Sequence, residues 1–232
     1  MHFEILIEDS SGRRLLEYVV PKIIGPQGGP HTWRLHAYRG MGRIPAHLSP
    51  TSDPSKRILL DQLPRLLRGY VRTPGIGAVV VVLDADDRDC ADFLAELTSL
   101  AASCDASHLT LFRLAIEEVE ARYLGDRPAL MRAYSRTKVR VLDDYIQDSV
   151  CGTWELLAEA THSGGLQTIR QAGGPLAGQV KHEWAERMGP MLDPSTNVSP
   201  SFGKFCDGIR RLAGISSSGH LAPPNTSLPF DR

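Results

Sequence analysis

The sequence predicts an α/β protein with a mostly parallel sheet and a helical C-terminal extension, and three observations predict it. Strand-like and helix-like patterns alternate from residue 3 to about residue 124, as in a parallel sheet with right-handed crossovers. The run Val79-Val80-Val81-Val82-Leu83 is a continuous aliphatic stretch, four of its residues β-branched, which reads as a strand buried on both faces. Beyond residue 125 the periodicity is helical. The expected divisions are an α/β core over 1–125, helices packed on it over 126–215, and a Ser-, Gly- and Pro-rich tail over 216–232 that reads as disordered.

Phe3-Glu4-Ile5-Leu6-Ile7 is a short apolar strand with Glu8-Asp9 at its end. A helix follows, with Leu15, Leu16, Val19 and Val20 on one face, Ser10 or Ser11 as its N-cap, and Pro21 and Gly25-Pro26 closing it. His31 to Tyr38 alternates and predicts a second strand. Arg39-Gly40-Met41-Gly42-Arg43 is a basic loop. Lys56 to Arg72 is helical through Ile58, Leu59, Leu63, Leu66, Leu67 and Tyr70, with Pro64 predicting a kink or two helices. The central strand comes next, then a helix through Phe93, Leu94, Leu97 and Leu100, then a strand from Leu109 to Ile116. Helices are expected around Leu130–Tyr134, Trp154–Leu157, Lys181–Met188 and Phe202–Leu212, the last capped by Ser199 with Pro200 in its first turn. Gly164-Gly165 and Gly173-Gly174 punctuate helices and lack the context of a dinucleotide fingerprint.

The chain carries 26 Lys and Arg against 27 Asp and Glu, a formal net charge of −1. No global basic balance advertises nucleic acid, although a local basic face suffices for phosphate binding. No apolar run approaches the roughly 20 residues of a membrane span. Met1-His2-Phe3-Glu4 lacks the basic start of a secretion signal. Cys90, Cys104, Cys151 and Cys206 show no CxxC or Cys/His pairing, which predicts reduced thiols, a cytoplasmic location and no zinc site. The eight histidines form no metal-spaced set and read as surface or packing residues; His182, beside Lys181, is the exception worth mutating.

Three strands deliver carboxylates just past their ends: Glu8, the pair Asp84 and Asp86, and the group Glu117, Glu118 and Glu120. In a parallel sheet those ends share one edge, where open α/β sheets place their ligands. Residues two apart on an extended chain point to one side, so Asp84 and Asp86 would offer two hard oxygen ligands to one cation. A solvated acidic turn explains a lone DxD equally well. Three sets on one rim create like-charge repulsion that a cation relieves.

An acid after the first strand and DxD after a later strand resemble the Toprim fold of topoisomerases, primases and small nucleases. More closely, the chain resembles a bacterial Toprim-like domain-of-unknown-function family, often encoded beside AAA or ABC-type ATPases in defence-like gene neighbourhoods and related to the Toprim domain of the overcoming-lysogenization-defect nucleases. The resemblance extends to about residue 213. It rests on Leu16 through Lys22, Tyr38-Arg39-Gly40, Leu83-Asp84-Ala85-Asp86-Asp87 with Asp89-Cys90, and Glu118-Val119-Glu120-Ala121 with Leu124-Gly125-Asp126. It continues in Gly152-Thr153-Trp154, Lys181, and Ser199-Pro200-Ser201-Phe202 with Phe205. It implies that Glu8 is the Toprim glutamate, a metal ligand or general acid/base. It implies that Asp84 and Asp86 are the metal-binding pair, that Glu118 and Glu120 are a further acidic pair, and that Lys181 matches a lysine of the helical C-terminal part, a catalytic candidate where those helices fold over the rim; an exposed helix lysine explains it as well. In the usual Toprim sequence glycine follows the glutamate; here Asp9 does.

The implied function is a Mg²⁺- or Mn²⁺-dependent nuclease cleaving DNA or RNA, the effector of an anti-phage defence system working with an AAA or ABC-type ATPase. Arg39, Arg43, Arg65, Arg68 and Arg72 are candidate backbone-phosphate contacts, although a charge run of this kind also reads as a solvated face. The implied partners are nucleic acid, the ATPase and further copies of the chain, with no membrane. The alternative is a non-catalytic Toprim-like regulatory or interaction subunit of an ATPase complex, docked through the Trp154, Leu156 and Leu157 segment or the C-terminal helices; ordinary core packing explains those residues as well. A topoisomerase gate domain and the extra domains of a primase do not fit in the chain. A haloacid-dehalogenase phosphatase places DxD on its first strand, with Thr or Val where Arg88 stands here.

Overall fold

The computed structural model describes residues 1–116, 118–149 and 152–215. Glu117, Cys151 and the expected tail over 216–232 lie outside the described residues. Four strands, β1 (His2–Ile7), β2 (Thr32–Ala37), β3 (Ile76–Asp84) and β4 (Thr110–Ala115), form one all-parallel sheet in the order β2-β1-β3-β4. The expected α/β architecture with a parallel sheet is present. β3 alternates its side chains between two buried layers, and Val79 to Leu83 are all 3% exposed or less. Each such aliphatic side chain contributes about 1.5–3 kcal/mol of burial, which is why the run carries no polar face.

On one side of the sheet, Leu6, Val79, Val81, Leu83 and Phe112 pack against α2 (Leu59–Val71) and α3 (Cys90–Ser103). On the other, Phe3, Ile5, Ile7, Val80 and Val82 share one core with α1 (Ser10–Ile24) and the C-terminal helices. Those are α4 (Ala121–Leu124), α5 (Arg127–Ala133), α6 (Thr153–Thr161), α7 (Gly165–Ala172), α8 (Gly174–Met188) and α9 (Pro200–Leu212). Leu157 is buried in that core with Trp154 and Leu156 packed against it, so the apolar segment of α6 is core.

Several boundaries differ from expectation for local reasons. The N-cap of α1 is Asp9, whose Oδ1 accepts from the Gly12 amide at 2.6 Å and whose Oδ2 accepts from the Ser11 hydroxyl. A carboxylate suits a helix N-terminus better than a hydroxyl. A side chain at position 12 would meet Asp9 Oδ1 at 2.9 Å, so the tight cap needs glycine there. Pro21 lies inside α1, which runs to Ile24 and stops at Gly25, φ 89°. Pro64 likewise lies inside a single α2. Ser199 caps α9 as expected, its Oγ accepting from the Phe202 amide at 3.2 Å.

α8 is fastened along α1. Ser10 Oγ and His182 Nε2 hydrogen-bond at 2.8 Å, Arg14 pairs with Glu186 at 2.6 Å, and Lys22 Nζ donates to the carbonyls of Gly189, Pro190 and Leu192. This seam starts at the N-terminus of α1, at the carboxyl rim of the sheet, and brings Lys181 over that rim.

Candidate acidic site at the carboxyl rim

β1 and β3 are central neighbours in register, Ile7 beside Val82, so their ends emerge together. The Asp84 amide donates to Glu8 Oε2 at 3.3 Å. A second amide, from Met41 in the loop after β2, also bonds Glu8. Burial nevertheless raises the Glu8 carboxyl to about 7, with Asp86 and Asp9 adding repulsion. Asp84 is raised well above the usual carboxylate range, by burial first and then by Glu8, Glu120 and Asp9.

Asp86 is placed differently from the expectation of an extended Asp-x-Asp. β3 stops at Asp84, and Asp86 occupies a turn with φ 50°, exposed. It acts on Glu8 through its charge.

Glu118 and Glu120 follow β4 and form a second group around Lys181. Lys181 Nζ lies 3.3 Å from Glu120 Oε1 and 3.8 Å from Glu118 Oε1, with the Trp154 ring centroid 5.9 Å away. Glu118 Oε2 also accepts from the Trp154 amide at 2.9 Å and from Thr153 Oγ1 at 3.2 Å, at the start of α6. Glu118 is thus spent on the helix end and the lysine. Glu120 is 1% exposed, and its Oε2 has no hydrogen-bond partner among the described residues. Burial lifts Glu120 to about 7 against the pull of Lys181. Burial lowers the Lys181 ammonium, but Glu120, Glu118, Asp84 and Asp9 together carry it above its ordinary value.

The five carboxylates expected to converge therefore stand as Glu8 with Asp84, Glu118 with Glu120 around Lys181, and Asp86 outside on the turn. The first two groups feel each other, since Glu120 raises Asp84 and Lys181 lowers it.

The roles of two residues at this rim were not read from the sequence. Asp9 adds its charge to Glu8, Asp84 and Glu120 while capping α1. The cap signal, an acid three residues before Gly12, was available in the sequence. Arg122 is fully buried, its guanidinium carbon 4.8 Å from the Phe205 ring centroid and 5.8 Å from that of Phe202. Its Nε, Nη1 and Nη2 have no hydrogen-bond partner among the described residues. Burial lowers its pKa, and Asp84 is the strongest charge opposing that. No local pattern marks an arginine in Glu-Ala-Arg-Tyr as buried.

The basic candidates divide. Arg39 and Arg43 are exposed on the loop that wraps the Glu8 end of β1, where the Gly40 amide bonds the Glu8 carbonyl at 3.1 Å. Arg65, Arg68 and Arg72 descend α2 from that loop toward the start of β3, away from the rim. Arg65 bonds Gln62 Oε1, and Arg68 bonds the Leu48 carbonyl.

Among the described residues, no three His, Cys, Asp or Glu side chains come together as a ready-made metal shell. The test of a divalent cation is then donor chemistry. Glu8 and Asp84 supply hard carboxylate oxygens of the type that Mg²⁺ and Mn²⁺ take, and Glu120 Oε2 is a buried anionic oxygen without a partner. Burial first, and neighbouring carboxylates after it, raise their proton affinity, and a cation would relieve that repulsion. The Glu8–Asp84 pair fits such a cation. Among the described residues, no helix is long and apolar enough to cross a membrane. Compared with known proteins, the chain matches no family model, no curated protein and no solved structure.

Proposed function

We propose that this rim is a Mg²⁺- or Mn²⁺-dependent phosphodiester-cleaving site of the Toprim-like kind, acting on DNA or RNA. One observation carries the reading: Glu8 and Asp84, from adjacent strand ends, meet through a backbone hydrogen bond, and both hold protons more tightly than carboxylates in water. A bound divalent cation polarises a phosphoryl oxygen and acidifies a water. Glu8 and Asp84 would hold it, with Asp86 on the adjoining turn and Glu120 behind. Glu8, titrating at about 7, is matched to moving a proton at neutral pH. Lys181, anchored by Glu118 and Glu120, directs a fixed positive charge toward a substrate phosphate. Arg39 and Arg43 stand on the same rim as phosphate contacts, and Arg65, Arg68 and Arg72 would engage a longer nucleic acid along α2. The resemblance adds a cytoplasmic effector of anti-phage defence paired with an AAA or ABC-type ATPase.

A second reading is a non-catalytic regulatory or interaction subunit of such an ATPase. Lys181 favours it, because its ammonium already lies between Glu118 and Glu120, where a second cation would otherwise sit. Cleavage of circular DNA and labelled RNA, with Mg²⁺, Mn²⁺ or EDTA, separates the two. The nuclease reading expects cleavage that needs the metal and is abolished in Asp84→Ala. Cleavage that survives both EDTA and Asp84→Ala would refute it, and tight nucleic-acid binding without cleavage supports the subunit reading.

A further inference from the structure

The two edges of the sheet are finished differently. In β2, register with β1 turns the main chain of Trp33, Leu35 and Ala37 outward. Side chains meet three of its six outward main-chain groups. Gln27 bonds both the amide and the carbonyl of Trp33, and Arg57 donates to the Ala37 carbonyl. In β4, the bonds from Val79 to Leu109 and from Ala85 to Ala115 turn odd-numbered residues toward β3, so Phe112 and Leu114 present their main chain outward. Arg113 Nη1 satisfies the Phe112 carbonyl at 2.7 Å. The Phe112 amide and both main-chain groups of Leu114 have no partner among the described residues. An uncovered edge of this kind is a template for another strand.

That edge opens into a groove of about 750 Å³ between α3 and α9. Its two walls differ in chemistry. The α3 wall is apolar, made by Leu94 with Phe112 and Leu114. The α9 wall is cationic, made by Arg113, Lys204 and Arg211. Arg113 reaches α9, where Nε donates to the Lys204 carbonyl at 2.8 Å. Gly208 leaves the room for this, since a side chain there would fall 2.5 Å from Arg113 Nη2. The acid on this wall, Asp207, pairs with Arg210 at 3.1 Å.

We propose that the β4 edge binds an extended acidic peptide of a partner protein, added as a fifth strand with apolar and acidic residues in alternation. Successive side chains of a strand point to opposite faces. One set would pack on Leu94, Phe112 and Leu114, and the other would meet Arg113, Lys204 and Arg211. The main chain would take up the Phe112 amide and the Leu114 amide and carbonyl.

The test is fluorescence anisotropy on the full chain with three labelled probes: a hexapeptide of alternating Val and Glu, its Val and Lys counterpart, and a single-stranded oligonucleotide. The Val/Glu peptide binds saturably and the Val/Lys peptide does not. Lys204→Glu with Arg211→Glu weakens binding by about tenfold or more. Leu114→Pro, which deletes an outward amide and spares the bonds to β3, does the same. If Leu114→Pro fails to fold by circular dichroism, the charge variant decides. Equal binding of both peptides, or no loss in the charge variant, overturns the proposal. So does oligonucleotide displacing the peptide at the same residues, or a concentration-dependent dimer that the charge variant dissolves, which would assign the edge to nucleic acid or to a second copy.

Discussion

Glu8 and Asp84 come from strands separated by 76 positions, yet the amide of one donates to the carboxylate of the other. The bond fixes the Glu8 carboxyl over the end of β3. It lowers the proton affinity of Glu8, but burial and the charges of Asp86 and Asp9 prevail and hold it at about 7. The carboxylates of this rim are therefore electrostatically costly, and that cost makes the account testable.

Stability should depend on pH through Glu8 and Glu120. Both are raised from 4.5 to about 7 in the folded protein, so the folded state binds protons that the unfolded chain releases. Their stabilisation is complete below about pH 4.5 and is lost as pH rises through about pH 7. Urea midpoints measured from about pH 5 to about pH 8 should fall less steeply in Glu8→Gln than in the parent. Identical slopes would contradict the buried, uncompensated state of Glu8.

Lys181→Met should leave Glu118 and Glu120 facing each other without a counter-charge. Breaking a buried pair by removing one partner costs about 3 kcal/mol. Adding Glu120→Gln should restore much of that loss, because the orphaned charge goes with it. A double-mutant cycle by chemical denaturation measures the coupling, and strictly additive effects would mean that the contact is incidental.

Arg122→Met should behave in the opposite sense. The guanidinium is buried against Phe202 and Phe205 with none of its nitrogens hydrogen-bonded among the described residues, and an apolar side chain of similar length fits the same space. Thermal stability should hold or rise, while the cleavage proposed for the rim changes, because a buried positive charge coupled to Asp84 is lost. A large drop in melting temperature would show that Arg122 is structurally required.

Asp61 makes a control outside the rim carboxylates. Its carboxylate accepts from the amides and hydroxyls of Thr51 and Ser52, which fastens the loop before α2 and holds its pKa well down despite burial. Asp61→Ala strands those donors and should cost about 2–4 kcal/mol without changing cation binding at Glu8. A loss under about 0.5 kcal/mol would mean that water replaces the carboxylate.

The sheet was legible because β3 must be buried on both faces, and a run of valines says so without tertiary information. The rim was legible at Glu8 and Asp84, since parallel strands align their ends. Asp86 was misplaced because period-2 reasoning assumes that the strand continues, whereas the chain turns at Ala85. Glu118 was read as a ligand, but its use at the start of α6 depends on a contact 36 residues away. Lys181 came from the resemblance; what brings it to the rim is the α1–α8 seam, built from Ser10, Arg14 and Lys22. Arg122 left no local trace, because its burial is made by Phe202 and Phe205 of α9.

The most direct measurement is Mn²⁺ binding by electron paramagnetic resonance on the full chain, Glu8→Gln and Asp84→Ala, at a pH above about 7 where Glu8 is ionised. The account expects saturable binding in the parent, competed by Mg²⁺, that each substitution weakens by about tenfold or more. Mn²⁺ that binds equally well to all three proteins, or to none, would contradict it.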